Sequence, residues 1–184
     1  MDRPPGPRST TEPPPALSLS LLTGRPAEVA AVQSVLAAAP GYFRATTGRP
    51  PDESEGQRLF ADLPPGRSYA DKRVWGLVAD DAMIGCADVV RGWNGPDKAI
   101  IGLLLLAEPW QGRGIGRAFA ALVEQAIAGW PEIESVRIGV VASHGRALGF
   151  WRRLGFRETG EVKPATPPLV ADVLVLEKPA ARPR

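Results

Sequence analysis

Ile100-Ile101-Gly102-Leu103-Leu104-Leu105-Leu106, and shortly after it Gln111-Gly112-Arg113-Gly114-Ile115-Gly116-Arg117, decide how this chain folds. The first stretch is an unbroken apolar run of buried-strand length. The second alternates glycines and opens onto Phe119, Leu122, Val123, Ala126 and Ile127, which fall at i, i+3, i+4, i+7 and i+8. Together they read as buried strand, glycine turn and amphipathic helix. Glycines let backbone N–H groups converge without interference from Cβ. The helix behind them adds its own unpaired N–H groups and the positive end of its dipole. Such a turn suits an anion, a phosphate or pyrophosphate above all.

Two familiar phosphate loops do not fit. The dinucleotide fingerprint is G-x-G-x-x-G with an acidic residue about 20 residues on. Here the spacing is G-x-G-x-G, and the strand expected over Val136 to Ala142 ends in no carboxylate. The triphosphate loop needs a Lys-Ser or Lys-Thr pair that this stretch lacks. The bland alternative is a tight turn that merely allows close strand–helix packing. The arginines at 113 and 117 argue against it.

Gln111, Gly114 and Gly116 form a Q-x-x-G-x-G pattern after a strand, which resembles the acetyl-CoA signature of the GNAT superfamily of N-acyltransferases. A second block, Ala147-Leu148-Gly149-Phe150-Trp151-Arg152-Arg153-Leu154-Gly155-Phe156, is similar to that family's A-x-x-F-[YW]-x-x-x-G-F segment. The resemblance runs from about Lys72 to Phe156 and is schematic elsewhere. It implies a single α/β domain with a mixed, mostly antiparallel sheet and helices on both faces. It also implies acetyl-CoA as acyl donor, an amine of a small molecule or peptide as acceptor, and no metal.

Composition is compatible with this and narrows the alternatives. The 184 residues suit one domain with a sizeable core. Hydrophobic content of 44% and charged content of 23% are ordinary for a globular protein. A formal charge of +2 argues for neither nucleic acid nor a membrane surface, and no basic stripe interleaves with aromatics. No secretory signal pattern and no apolar run near ~20 residues is present. Cys86 is the only cysteine, so no intrachain disulfide forms, which fits a cytoplasmic protein. Its apolar surroundings mark it as a small buried hydrophobe. A homodimer is the default assembly.

Along the chain, Met1 to Ala16 reads as a disordered Pro-rich tail, 17–178 as the N-acetyltransferase domain and 179–184 as a flexible C-terminal tail. Within the domain the expected order begins with a strand over Leu17 to Leu22 and a helix over Pro26 to Ala39. A loop through Pro50-Pro51 and a short helix near Ser54 to Leu63 follow. Val74 to Ala79 and Met83 to Arg91 flank the Asp80-Asp81 turn as a hairpin. Strands over Ala99 to Leu106, Val136 to Ala142, Arg157 to Val162 and Ala171 to Leu176 complete the sheet, with helices after the glycine turn and over Gly145 to Leu154.

Acyl transfer needs four jobs done: hold the donor, polarise the thioester, deprotonate the ammonium and protonate the thiolate. Backbone N–H groups from Gln111, Gly112, Arg113, Gly114, Ile115, Gly116 and Arg117 are expected at the pyrophosphate, with the Arg113 and Arg117 guanidiniums beside it. Arg117 equally suits a solvated helix-end charge. The resemblance implies that the apolar strand splays from its neighbour. Free backbone groups of Leu104, Leu105 and Leu106 then meet the pantetheine arm, an N–H near Leu104 facing the carbonyl.

Where the family often has a tyrosine acid, this chain has Trp151, whose indole N–H is not acidic. The general acid is thereby left open, and Trp151 packs against the cofactor arm or the core. Where the family favours asparagine stands His144, the only histidine, suited to a pantetheine amide, to catalysis or simply to capping a helix. Asp88 and Glu108 are the candidate general bases, each also readable as a solvent-facing charge. Nothing places Tyr42 or Tyr69. The acidic-aromatic stretch Pro40 to Glu55 would suit a cationic amine. Two readings stand: an N-acetyltransferase, and a non-catalytic acyl-CoA-binding or regulatory protein of the same fold.

Overall fold

Hydrophobic alternation and turn chemistry place the strands. In the computed structural model, which describes residues 15–181, β1 is Leu17–Leu22, β2 Lys72–Ala79 and β3 Ala82–Arg91. Next come β4 at Lys98–Leu106, β5 at Ser135–Val141, β6 at Arg157–Lys163 and β7 at Val173–Pro179. The helices are α1 Pro26–Ala37, α2 Pro40–Thr46, α3 Glu55–Ala61, α4 Ile115–Ile127 and α5 Gly145–Arg153. Asp80 and Asp81 both take positive φ, 47° and 64°, in the tight β2–β3 hairpin turn. The tails expected at 1–16 and 179–184 lie largely outside the described residues. Pro179 closes β7, and the Ala180 N–H donates to the Glu134 carbonyl.

The seven strands form one sheet in the order β1-β2-β3-β4-β5-β7-β6. Every neighbouring pair is antiparallel except β4–β5, which is parallel. Helices cover both faces, as expected for this mixed α/β domain. On one face Phe119, Val123 and Ile127 of α4 join Leu148 and Trp151 of α5 over Val89, Ile101 and Leu106. On the other, Val32 and Leu36 of α1 and Phe43 of α2 pack on Val74, Cys86 and Leu105. Cys86 is fully buried, its thiol pushed up to about 12 by desolvation, as a core hydrophobe should be.

One helix departs from the sequence expectation. Instead of one helix to Ala39 followed by a loop, α1 ends at Ala37 and α2 starts anew at Pro40, whose fixed φ suits a first helical position. Seven residues of helix are too few to hold alone. Distant segments secure α2: the Gly41 N–H donates to Glu108 Oε1 at 2.5 Å, and Ser143 Oγ donates to the Ala45 carbonyl at 2.8 Å. No helix among the described residues is long and apolar enough to cross a membrane.

Candidate active site

The glycine turn is fastened to the end of β4. Gln111 Nε2 donates to the Leu106 carbonyl at 2.8 Å, and a 3-10 turn over Glu108–Trp110 leads into the glycines. Gly112 and Gly114 take φ of +77° and +80°, and Gly114 is the residue immediately before α4. A Cβ at either would project into open space, so backbone conformation and not packing requires glycine there. The five N–H groups from Gly112 through Gly116 donate to no protein acceptor among the described residues.

That count corrects the sequence expectation at both ends. The Gln111 N–H donates to the Glu108 carbonyl and the Arg117 N–H to the Gly114 carbonyl, because each closes a local turn. Those two residues can serve an anion only through their side chains or by shaping the turn. Arg113 and Arg117 are exposed, and the Arg113 guanidinium lies 5.7 Å from the Trp110 ring centroid.

The strand before the turn is open on one side. β4 pairs with β5 only from Lys98↔Ser135 to Ile101↔Ile138, so Gly102 through Leu106 have no partner on that edge. The Ala107 N–H donates to the Ile84 carbonyl, which sets the phase of the β3–β4 ladder. Antiparallel alternation then aims the backbone groups of Leu105 at β3 and those of Leu104 and Leu106 at the open edge. Leu105 is thus removed from the three expected backbone partners, and the Leu106 carbonyl is already taken by Gln111. Among the described residues, the groups left free are the N–H and C=O of Leu104 and the N–H of Leu106.

The vertex of this opening carries a β-bulge. Register slips between Asp88↔Leu103 and Val89↔Ile101, leaving Gly102 unmatched. Gly102 and Leu103 therefore both line a cleft of about 420 Å³ between the α1–α3 layer and strands β2–β4. Asp88 lines it too. A Cβ on Gly102 would sit 3.1 Å from Asp88 Oδ2, so the missing side chain makes room for the carboxylate.

Asp88 is not the solvent-facing charge that its strand position also allowed. Its side chain is 15% exposed, and Lys72 Nζ, 5% exposed, lies 3.2 Å from Oδ1. Oδ1 is buried and meets that ammonium as an ion pair. The Lys72 ammonium also donates to the Asp62 carbonyl at 2.7 Å. Burial raises the Asp88 carboxyl above its ordinary range, with Lys72 pulling the other way.

The remaining candidates divide. Glu108 is exposed at the far end of β4, its carboxylate committed to the first turn of α2. His144 stands immediately before α5 but makes no side-chain capping bond. Its ring centroid is 6.1 Å from that of Tyr42, and desolvation followed by Arg146 lowers its pKa, keeping the imidazole neutral near pH 7. Trp151 is buried, in edge contact with Phe150 and Phe156 at 5.1 Å each, so it belongs to the core.

Two residues carried no role in the sequence, and a third, Tyr42, had no place in it. Lys72 gave no signal, being a single charge at a strand start. Tyr42 lines the cleft from α2, an element the sequence did not reveal. Phe150 stood inside the second motif; its ring lies 3.4 Å from a Cβ built on Gly116, at the junction of α4 and α5.

Known proteins share this fold. The model of the acetyltransferase (GNAT) family matches residues 36–156. No curated protein matches the chain. Among solved structures, an acetyltransferase from Thermus thermophilus is 25% identical with a TM-score of 0.69, covering 89% of this chain and 96% of its own. A GNAT family acetyltransferase from Elizabethkingia anophelis with acetyl-CoA bound shares 17% identity and a TM-score of 0.60, over 89% and 97%. Ribosomal-protein-S18-alanine N-acetyltransferase from Escherichia coli shares 15% identity and a TM-score of 0.62, over 92% and 97%. The last two show likeness of fold alone. The family match spans well over half the chain, and the seven-stranded sheet agrees with it: the chain belongs to the GNAT acetyltransferase family.

Proposed function

We propose that this chain is an N-acetyltransferase that moves the acetyl group of acetyl-CoA to a primary amine of a small molecule or peptide. The observation that carries this is the run of five unengaged N–H groups, Gly112 to Gly116, at the end of a strand whose edge is open from Gly102 onward. Converging amides at a helix N-terminus fit a pyrophosphate. An extended open strand edge fits an amide-bearing arm, which can pair with Leu104 as a neighbouring strand would. The donor supplies an activated thioester carbon.

The chain's residues would then act as follows. Gly112 through Gly116 hold the diphosphate, with Arg113 beside it. Leu104 aligns the arm and offers an N–H where negative charge develops on the carbonyl oxygen. Asp88, at the vertex, takes a proton from the incoming ammonium, directly or through one water. The amine nitrogen bonds to the acyl carbon and gives up its second proton to water, the carbon–sulfur bond breaks, and the sulfur leaves as thiolate. No phenol stands at position 151, and a thiol of ordinary pKa ~8.5 is a good enough leaving group to take its proton from water.

The test is free-thiol release from acetyl-CoA with an amine panel, Gly114→Glu being the control. Release that depends on the amine and vanishes in the control supports the enzyme. Acetyl-CoA binding with no release for any amine supports the binding-protein reading instead.

A further inference from the structure

The cleft beside Asp88 has a chemical character of its own, and this inference rests on the acyl-transfer reading above. Its walls are mainly apolar, including Leu36, Phe43, Leu59, Val90, Trp93 and Leu103. Its charged lining consists of three carboxylates, Glu55, Asp62 and Asp88, and two cations, Arg58 and Lys72. Both cations are already engaged. Arg58 Nη2 is 2.6 Å from Asp52 Oδ2 and 2.8 Å from Glu55 Oε1. Lys72 Nζ is held by the Asp62 carbonyl at 2.7 Å and Asp88 at 3.2 Å. Lys163, which lies 5.1 Å from the centroid of the Trp93 ring, is 3.9 Å from Glu161.

We infer that the acceptor is a primary amine carried on an aryl or alkyl body that bears no anionic group. An ammonium entering the cleft would be drawn to the Glu55, Asp62 and Asp88 carboxylates that line it. Its apolar body would displace water from the leucine, valine and aromatic walls. A carboxylate on the same body would lose its hydration against those walls and face Asp62 and Asp88 with no unengaged cation to meet it. A polycation with several hydroxyls, such as an aminoglycoside, would bury polar groups against the same apolar walls without partners.

A matched pair of amines separates these cases: 2-phenylethylamine and L-phenylalanine differ only by the α-carboxylate. Thiol release from acetyl-CoA is compared for the two, with kanamycin as a further acceptor. Binding of each amine to the CoA complex is followed by calorimetry. The inference predicts that kcat/KM for 2-phenylethylamine exceeds that for L-phenylalanine by on the order of 100-fold, because an unpaired buried charge is rejected strongly. Equal or better turnover of phenylalanine or kanamycin overturns the inference and leaves the acetyltransferase standing. Binding of 2-phenylethylamine without thiol release from any amine upholds the cleft's preference and overturns the enzyme. Neither binding nor release overturns both.

Discussion

At Asp88, burial and an ammonium act in opposite directions on one carboxyl, and burial prevails. A raised pKa makes the carboxylate a better proton acceptor, and its ionised form is lost as pH falls through a value above 3.8. The acidic limb of kcat should therefore lie higher than an exposed aspartate would put it. The folded state also takes up this proton more readily than the unfolded chain. Protonation of Asp88 thus favours folding below the ordinary carboxyl range, and that contribution fades as pH rises through the folded pKa. Asp88→Asn should lower kcat by about 100-fold or more and remove that limb, with KM for acetyl-CoA unchanged. An unaltered pH–rate profile in this variant would dismiss Asp88 as the base. Gly102→Ala tests the neighbouring contact: its Cβ would crowd Oδ2 at 3.1 Å, so kcat should fall by about 10-fold while acetyl-CoA affinity holds. At Gly114 the left-handed backbone costs a non-glycine residue about 1–2 kcal/mol, too little to unfold the domain. Gly114→Glu should keep its melting transition yet weaken acetyl-CoA binding by ~100-fold or more, through like charge set against the phosphates.

Among the elements, α2 ties the two arms of the opening together. Its first turn is capped by Glu108 after β4, and its Ala45 carbonyl accepts from Ser143 after β5. Losing such a cap costs about 1 kcal/mol, so Glu108→Ala should lower Tm by roughly 2–4 °C. Glu108→Gln keeps an acceptor oxygen and should preserve both the melting point and the pH–rate profile. A displaced profile in Glu108→Gln would mean that Glu108 carries a proton after all. This helix also shows where sequence reading stops. Strands such as β4 and the long helix α4 declare themselves through runs and periods of several residues. Seven residues between prolines show fewer than two full turns, and the cap that secures them lies 67 positions away in the chain. The glycine turn was legible in the same way as α4, yet which of its N–H groups stay free was not, because the 3-10 turn over Glu108–Trp110 consumes one of them. The alternation of β3 put Asp88 on one face; only the α1–α3 layer turns that face into a cleft instead of a solvated surface.

The whole molecule is a sheet clamped between two helical layers and opened along one seam. Phe119, fully buried, joins α4 to the sheet below the glycine turn. Phe119→Ala should cost about 3–5 kcal/mol, and calorimetric unfolding should show the loss for the whole domain rather than for α4 alone. β4 and β5 are held together at one end by four residue pairs, and their pairing stops where the β3–β4 bulge at Gly102 begins. Everything proposed for this chain depends on the turn at the open end receiving the donor's phosphates. A nitrogen–proton correlation spectrum of the 184-residue protein, titrated with acetyl-CoA, tests that directly. The largest amide shifts should fall at Gly112 through Gly116 and at Leu104, with Leu105 moving little. Saturable binding that leaves those five glycine-turn amides unmoved would contradict the proposal.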